Sequence, residues 1–199
     1  MALTWNVFKS KKTIENNKIR VLFVCMGNIC RSPMAEGMLR LRLAERQLPL
    51  PVEIDSAGTH GYHEGAPPDT RAQAAALRRG ADISALRARR VIAADFERFD
   101  LVLAMDEENI AALLEVAGEE QHPKVRLLLE FAAGEGRRIV PDPYYGGMVG
   151  FERVLDLVEE AMAGLLDELG RMAARRVAEL ADSNAAEGAP APEGGEGDR

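Results

Sequence analysis

Cys25 and Arg31 stand six positions apart in Cys25-Met26-Gly27-Asn28-Ile29-Cys30-Arg31, and Ser32 and Pro33 follow directly. That spacing lets one loop curl round a tetrahedral oxyanion, with a sulfur nucleophile beneath it and a guanidinium beside it. Backbone N–H groups of a tightly curled loop, and of the helix start that follows, point at an anion held there. Gly27 permits a turn or a close approach that a side chain would hinder. Arg31 can grip two phosphate oxygens as a planar fork, which lysine cannot. The same donors favour the thiolate of Cys25, the form that attacks phosphorus. Ser32 Oγ is placed to donate to that sulfur and ease its departure in a second step. Asn28 is suited to bridge loop groups and hold the curl. A lone cysteine ending a strand is usually a buried core residue. The full string Gly-Asn-x-Cys-Arg-Ser-Pro around this one points to chemistry instead.

The elements that must position this loop alternate between strand and helix. Ile19 to Val24 is apolar almost throughout, as expected of a strand covered on both faces. Ser32 reads as the N-cap of the next helix and Pro33 as its first turn, with Glu36 adding favourable charge there. Met34, Met38 and Leu41 give that helix an inward stripe. Val52 to Ala57 is a second strand, and a long loop rich in Gly and Pro follows. A helix over about Thr70 to Arg79 stops at Gly80. Leu101 to Ala104 is a third strand and Val125 to Leu129 a fourth. Phe151, Val154, Leu155, Val158, Met162, Leu165, Leu166 and Leu169 recur at helical spacing, which predicts a long amphipathic closing helix. Strands alternating with helices predict an α/β fold in three layers, α/β/α, around a parallel sheet. Residues 1–18 read as a polar leader, 19–182 as the domain, and 183–199 as a disordered acidic tail rich in Ala, Gly, Pro and Glu.

Composition narrows the function. The net charge is −7, and no Lys/Arg-rich patch suits nucleic acid. Any phosphate binding must then come from local groups. Both cysteines lie in the one loop, so the chain is no secreted disulfide framework. No apolar run reaches the roughly 18–20 residues that span a membrane. The expected compartment is the cytoplasm. His60, His63 and His122 are not spaced as a metal site, and neither a metal nor a cofactor is expected. Arg87, Arg89 and Arg90 read as a solvated basic cluster.

The stretch Val24 to Glu36 resembles the signature of low-molecular-weight protein tyrosine phosphatases. The likeness continues through Asp55-Ser56-Ala57-Gly58-Thr59, Pro68-Asp69, Arg71-Ala72, Asp95-Phe96, Phe99-Asp100 and Met105-Asp106. It goes on through Val140-Pro141-Asp142-Pro143-Tyr144 to Gly150-Phe151-Glu152, and so spans roughly residues 18–170. The resemblance implies a four-stranded parallel sheet with the phosphate loop after its first strand. It also implies metal-independent hydrolysis of protein phosphotyrosine through a cysteinyl phosphate.

The resemblance assigns roles outside the loop as well. Asp142 matches the family's Asp-Pro-Tyr motif, which makes it the general acid of the first step and the base for water in the second. Alone it would read as a turn aspartate. Tyr144 and Tyr145 are expected to form one aromatic wall and Tyr62 the opposite one. Met26 and Ile29, at the variable loop positions, would touch the substrate together with Gly27, Asn28 and Cys30. Cys30 could capture an oxidised Cys25 as a disulfide. Bacterial relatives often read Ser-x-His-Arg-Ala-Arg where this chain has Ser84-Ala85-Leu86-Arg87-Ala88-Arg89. Leu86 cannot hydrogen-bond, so Ser56, Ser84 or a water must assist Asn28. The expected partner is a phosphotyrosine protein, a bacterial tyrosine kinase among the candidates. Two rival readings share the scaffold. An arsenate reductase would need two further cysteines, and a non-catalytic phosphate-binding module would lack the acid.

Overall fold

The computed structural model describes residues 17–134 and 139–187. The leader's residues 1–16 and the tail from 188 lie outside the described residues. Strand β1 (Ile19–Cys25) is buried except at Arg20, and its side chains alternate between two cores. Ile19, Val21, Phe23 and Cys25 face one way, where helix α1 (Arg31–Ala44) contributes Met34 and Met38. Leu22 and Val24 face the other way, against Phe96 of helix α3 (Ala93–Arg98) and Leu113 of helix α4 (Glu107–Leu114). This two-sided burial is why the strand lacks a polar stripe.

Strands β2 (Val52–Gly58), β3 (Leu101–Ala104) and β4 (Val125–Leu127) complete a four-stranded parallel sheet in the order β2-β1-β3-β4. The chain leaves β1 toward β2 on one side and leaves β3 toward β4 on the other. Ligands bind in open α/β sheets in the crevice at such a reversal, beyond the carboxyl ends of the strands. Cys25 is the last residue of β1 and pairs with Gly58 there. A Cβ on Gly58 would lie 2.8 Å from the Met26 carbonyl oxygen, so glycine lets the loop backbone close over β2.

Several local readings need correction. Helix α1 begins at Arg31 with Cys30 as its N-cap and no side-chain cap bond. Ser32 is therefore inside the helix, because its hydroxyl is engaged with the loop. Pro33 still falls in the first turn, where its missing N–H goes unused. Glu36 lies beyond that turn and is buried. Strand β4 stops at Leu127, and Leu128–Phe131 forms a 3₁₀ turn. There Glu130 Oε1 accepts the Leu127 N–H at 3.0 Å and turns the chain.

Helix α2 (Thr70–Arg78) is capped by Asp69 and released by Gly80 at φ +90°. Helix α5 (Gly147–Glu187) runs past the boundary placed at 182. It buries Phe151, Val154, Leu155, Val158, Met162, Leu165, Leu166 and Leu169, the residues its period predicted. Near its far end Arg176 Nη1 donates to the Lys18 carbonyl (2.7 Å) and Nη2 to Asp100 (2.8 Å). Asp100 in turn accepts the Arg20 N–H at 2.8 Å.

Gly164 of α5 marks a close approach. A Cβ there would sit 2.2 Å from the Phe131 carbonyl oxygen, a backbone atom with little room to give. Overpacking of this kind costs about 1–3 kcal/mol, and alanine's helix propensity returns about 1 kcal/mol. Gly164→Ala is expected to lower the thermal midpoint by roughly 2–4 °C, about 1 kcal/mol net for a domain of this size. Thermal unfolding followed by circular dichroism checks it, and a raised midpoint would contradict the packing.

Candidate active site

The loop between β1 and α1 is held from behind by one residue in a left-handed conformation. Asn28 has φ +55°, which asparagine tolerates better than most side chains. The positive φ falls here and not at Gly27. Gly27 instead gives room to His63, whose Cδ2 would lie 3.0 Å from an added Cβ. Asn28 Nδ2 donates to Ser32 Oγ (3.0 Å) and to Ser56 Oγ (2.9 Å), and Oδ1 accepts the Arg89 N–H (2.9 Å). Its side chain is buried and spent on fastening the loop, so it is not available to line a binding surface.

The network runs further back. Ser56 Oγ donates to Glu36 Oε2 at 2.6 Å, and Arg40 Nη2 holds the other Glu36 oxygen at 2.7 Å. Ser56 thus supplies the help that Leu86 cannot give, while Ser84 takes no part and Leu86 packs against the core. Arg89 is no solvated cation either: its guanidinium is shared between Asp55 and Asp95, each at 2.9 Å. That pairing fixes the segment whose N–H Asn28 reads.

Cys25 Sγ lies 3.1 Å from Ser32 Oγ. The Ser32 hydroxyl already accepts from Asn28, and its single proton has the sulfur and the Ala57 carbonyl (3.3 Å) to choose between. Arg31 is 2 % exposed and charged at the floor of the site. Nη1 donates to Asp106 Oδ2 and to the Val140 carbonyl (3.0 Å), and Nη2 donates to Asp142 Oδ2 (3.2 Å). Burial works against its charge, but Cys25, Asp106 and Asp142 outweigh it and raise the Arg31 pKa. Asp106 is rigid because its other oxygen caps α4 through the Asn109 N–H at 2.7 Å. Its role escaped the sequence reading. An aspartate before a helix is legible as a cap, but its second partner 75 positions away is not.

These residues surround a cleft of about 430 Å³. Cys25, Cys30 and Arg31 form its buried floor, Met26, Gly27, Ile29 and the neighbouring His63 one flank, and Asp142, Tyr144 and Tyr145 line it as well. Tyr144 and Tyr145 meet edge to face at 5.1 Å. Tyr62 is not brought to the cleft. It is 79 % exposed and stacks on His60 at 5.2 Å, so the loop turns the adjacent His63 inward instead. Among the described residues no cluster of His, Cys, Asp or Glu is placed to hold a metal ion, and no helix is long and apolar enough to cross a membrane.

Burial, then the nearby charges of Cys25, Asp69 and Asp142, push the Cys30 thiol from 9.0 up to about 12, with Arg71 pulling the other way. The unfolded chain therefore releases this proton near pH 9.0, and the folded protein near 12. The fold keeps its full advantage below the lower value and loses it as pH rises through that window. Urea unfolding of Cys30→Ala is expected to weaken less over that window than unfolding of the parent. Parallel slopes would mean that Cys30 does not titrate this way.

Known proteins share the sequence and the fold of this chain. The family model described as low molecular weight phosphotyrosine protein phosphatase matches residues 20–175. A low molecular weight protein-tyrosine-phosphatase of Streptomyces coelicolor is 47 % identical over 150 residues, 74 % of this chain and 91 % of that protein. The crystal structure of YfkJ from Bacillus subtilis matches with a TM-score of 0.73 at 39 % identity, over 78 % of this chain and 97 % of that one. A Drosophila arginine phosphatase matches with a TM-score of 0.70 at 32 % identity, over 75 % of this chain and 97 % of that one. The chain belongs to the low molecular weight phosphotyrosine protein phosphatase family, and the activity of that family, cysteine-based hydrolysis of phosphotyrosine, is its function.

Proposed function

We propose that Cys25 attacks the phosphorus of a protein phosphotyrosine in line with the tyrosyl oxygen. The S–P bond forms as the P–O bond breaks, and Asp142 gives its proton to the departing phenolate. Water then attacks the cysteinyl phosphate and loses a proton to Asp142. The sulfur leaves as thiolate, accepting from Ser32 Oγ, and inorganic phosphate is released. Arg31 has five N–H groups and commits three of them to protein. The remaining two, and the one that Asp142 gives up as phosphate enters, are available with the loop amides for the equatorial oxygens of the transferring group. The observation that carries this reading is the shared cleft: Cys25 at its floor, 3.1 Å from the Ser32 hydroxyl, with Arg31 and Asp142 lining the same space.

The substrate follows from the shape of that space. The nucleophile is 3 % exposed, while Tyr144 and Tyr145 stand at 42 % and 96 % on the rim. A flat, long phosphoaryl group reaches the floor past them, and a phosphoserine does not. Met26, Ile29, Tyr144 and His63 are the side chains that touch the ring. A tyrosine kinase carrying its own phosphotyrosines is the kind of partner this favours, and the cytoplasm the compartment. One solved relative is an arginine phosphatase, which makes phosphoarginine the competing substrate. A panel of phosphotyrosine, phosphoserine and phosphoarginine peptides, assayed without added metal, decides between them. Phosphotyrosine is expected to lead in kcat/KM by about 10²-fold or more, and a lead for phosphoarginine would overturn the substrate reading.

Cys30 gives the site a protective chemistry. Peroxide oxidises the Cys25 thiolate to sulfenic acid, and the Cys30 thiol displaces water from it to form a disulfide, which a dithiol reduces back. Peroxide-treated protein is expected to carry a Cys25–Cys30 bond by mass spectrometry and to regain activity with dithiothreitol. Activity that dithiothreitol fails to restore would count against capture.

A further inference from the structure

Arg71 lies in the first turn of helix α2, and its contacts join the two sides of the cleft. Its Nε and Nη2 hold Asp69 at 3.0 and 2.7 Å. Its Nη1 donates to the Tyr144 carbonyl at 3.0 Å, and its guanidinium lies over the rings of Tyr144 (5.5 Å) and buried Phe151 (4.8 Å). Asp69 belongs to the phosphate-loop side, because its backbone N–H donates to the Ile29 carbonyl at 2.8 Å. Tyr144 belongs to the acid side, because its N–H donates to Asp142 Oδ1 at 3.0 Å. A line of bonds thus runs from Ile29 through Asp69, Arg71 and Tyr144 to the Asp142 carboxyl.

The segment that carries Asp142 is exposed except at Pro143. Among the described residues, and apart from the local bond from the Gly146 N–H to the Pro143 carbonyl (2.8 Å), two hydrogen bonds tie residues 142–145 to the rest of the protein: Arg31 to the Asp142 carboxyl and Arg71 to the Tyr144 carbonyl. Arg31 is also the group that must turn to an incoming phosphate. When it does, Asp142 loses that anchor, and the Arg71 tether remains.

We propose that Arg71 is the positioning residue that keeps the Asp142 carboxyl over the leaving oxygen once substrate has drawn Arg31 away. This rests on Asp142 being the acid, as assigned above. Misplacing an acid weakens proton delivery and leaves nucleophile and phosphate grip intact. The loss should therefore fall on substrates whose leaving group needs the proton.

The test compares Arg71→Ala with the parent on a phosphotyrosine peptide and on an aryl phosphate whose phenol departs easily without protonation. The kcat/KM for the peptide is expected to fall roughly tenfold, a fraction of the ~10²–10⁴ a general acid supplies. The activated ester should lose less than about twofold, and inhibition by inorganic phosphate should stay within about twofold. Equal loss on both substrates, or no loss on either, overturns the proposal. If Arg71→Ala does not fold by circular dichroism, Arg71→Lys carries the same test, since a lysine cannot hold Asp69 and the Tyr144 carbonyl as a fork. Asp142→Ala, assayed alongside, separates the two assignments. Absence of the split in Asp142→Ala removes the acid itself, whereas a split there without one in the Arg71 variants removes only the tether.

Discussion

Replacing Cys25 with serine is expected to lower kcat/KM for a phosphotyrosine peptide by roughly 10⁴-fold or more, the scale on which nucleophile deletions act. A serine hydroxyl in this position remains protonated, because among the described residues the one side chain that hydrogen-bonds the sulfur is Ser32. Ser32 Oγ, 3.1 Å from the sulfur, is itself a hydroxyl and can only donate to or accept from it. Binding should survive, because the loop's shape depends on Asn28, Ser56 and Glu36 and not on the sulfur. Calorimetric titration with inorganic phosphate is therefore expected to give a Kd within about threefold of the parent, under 1 kcal/mol. Turnover retained at a tenth of the parent rate would remove Cys25 from the reaction.

Asp142→Ala should produce the second largest effect, and a selective one. The loss on phosphotyrosine is expected to reach about 10²–10⁴-fold, because the phenolate of tyrosine is a poor leaving group and needs a proton as it departs. On an activated aryl ester the loss should be far smaller. The variant also deletes one of the carboxylates beside Arg31. Asp106 and the Val140 carbonyl still orient the guanidinium, and the repulsion between carboxylate and bound phosphate disappears. Inorganic phosphate should accordingly bind as tightly as before or more so. Similar losses on both esters would show that Asp142 acts on something other than the leaving oxygen.

Local patterns carried the sequence reading, and long-range pairs limited it. Strand β1, the phosphate loop and the inward face of α5 were legible because each is written in consecutive or periodic residues. Cys25, Arg31 and Asp142 line one cleft, and Ser32 is buried beside the sulfur at its floor. Ser32 was misread as a cap because the local rule for a serine before proline ignores a sulfur seven positions back and an amide four back. Glu36 looked like first-turn charge, yet its partner Ser56 sits on strand β2, 20 positions on. Arg89 looked solvated because Asp55 lies 34 positions behind it. Tyr62 and His63 occupy a loop without period, so sequence could not tell which of two neighbours turns inward. Leu128 and Leu129 are as apolar as a strand, and only the Glu130 bond to the Leu127 N–H marks the turn. The tail was read from its average composition, but residues up to Glu187 contain neither Gly nor Pro after Gly170, and the helix continues through them.

The Arg176 clasp on Lys18 and Asp100 has a practical side. It gathers the start of β1 and the distal turns of α5 at the sheet's amino-terminal edge, on the face of the domain away from Cys25. A fluorophore or a surface tether attached beside Lys18 or Arg176 therefore leaves the mouth of the enzyme pointing into solution. Shortening the chain ahead of Arg176 would do more than trim an extension. It would unlatch the first strand from the far end of the last helix.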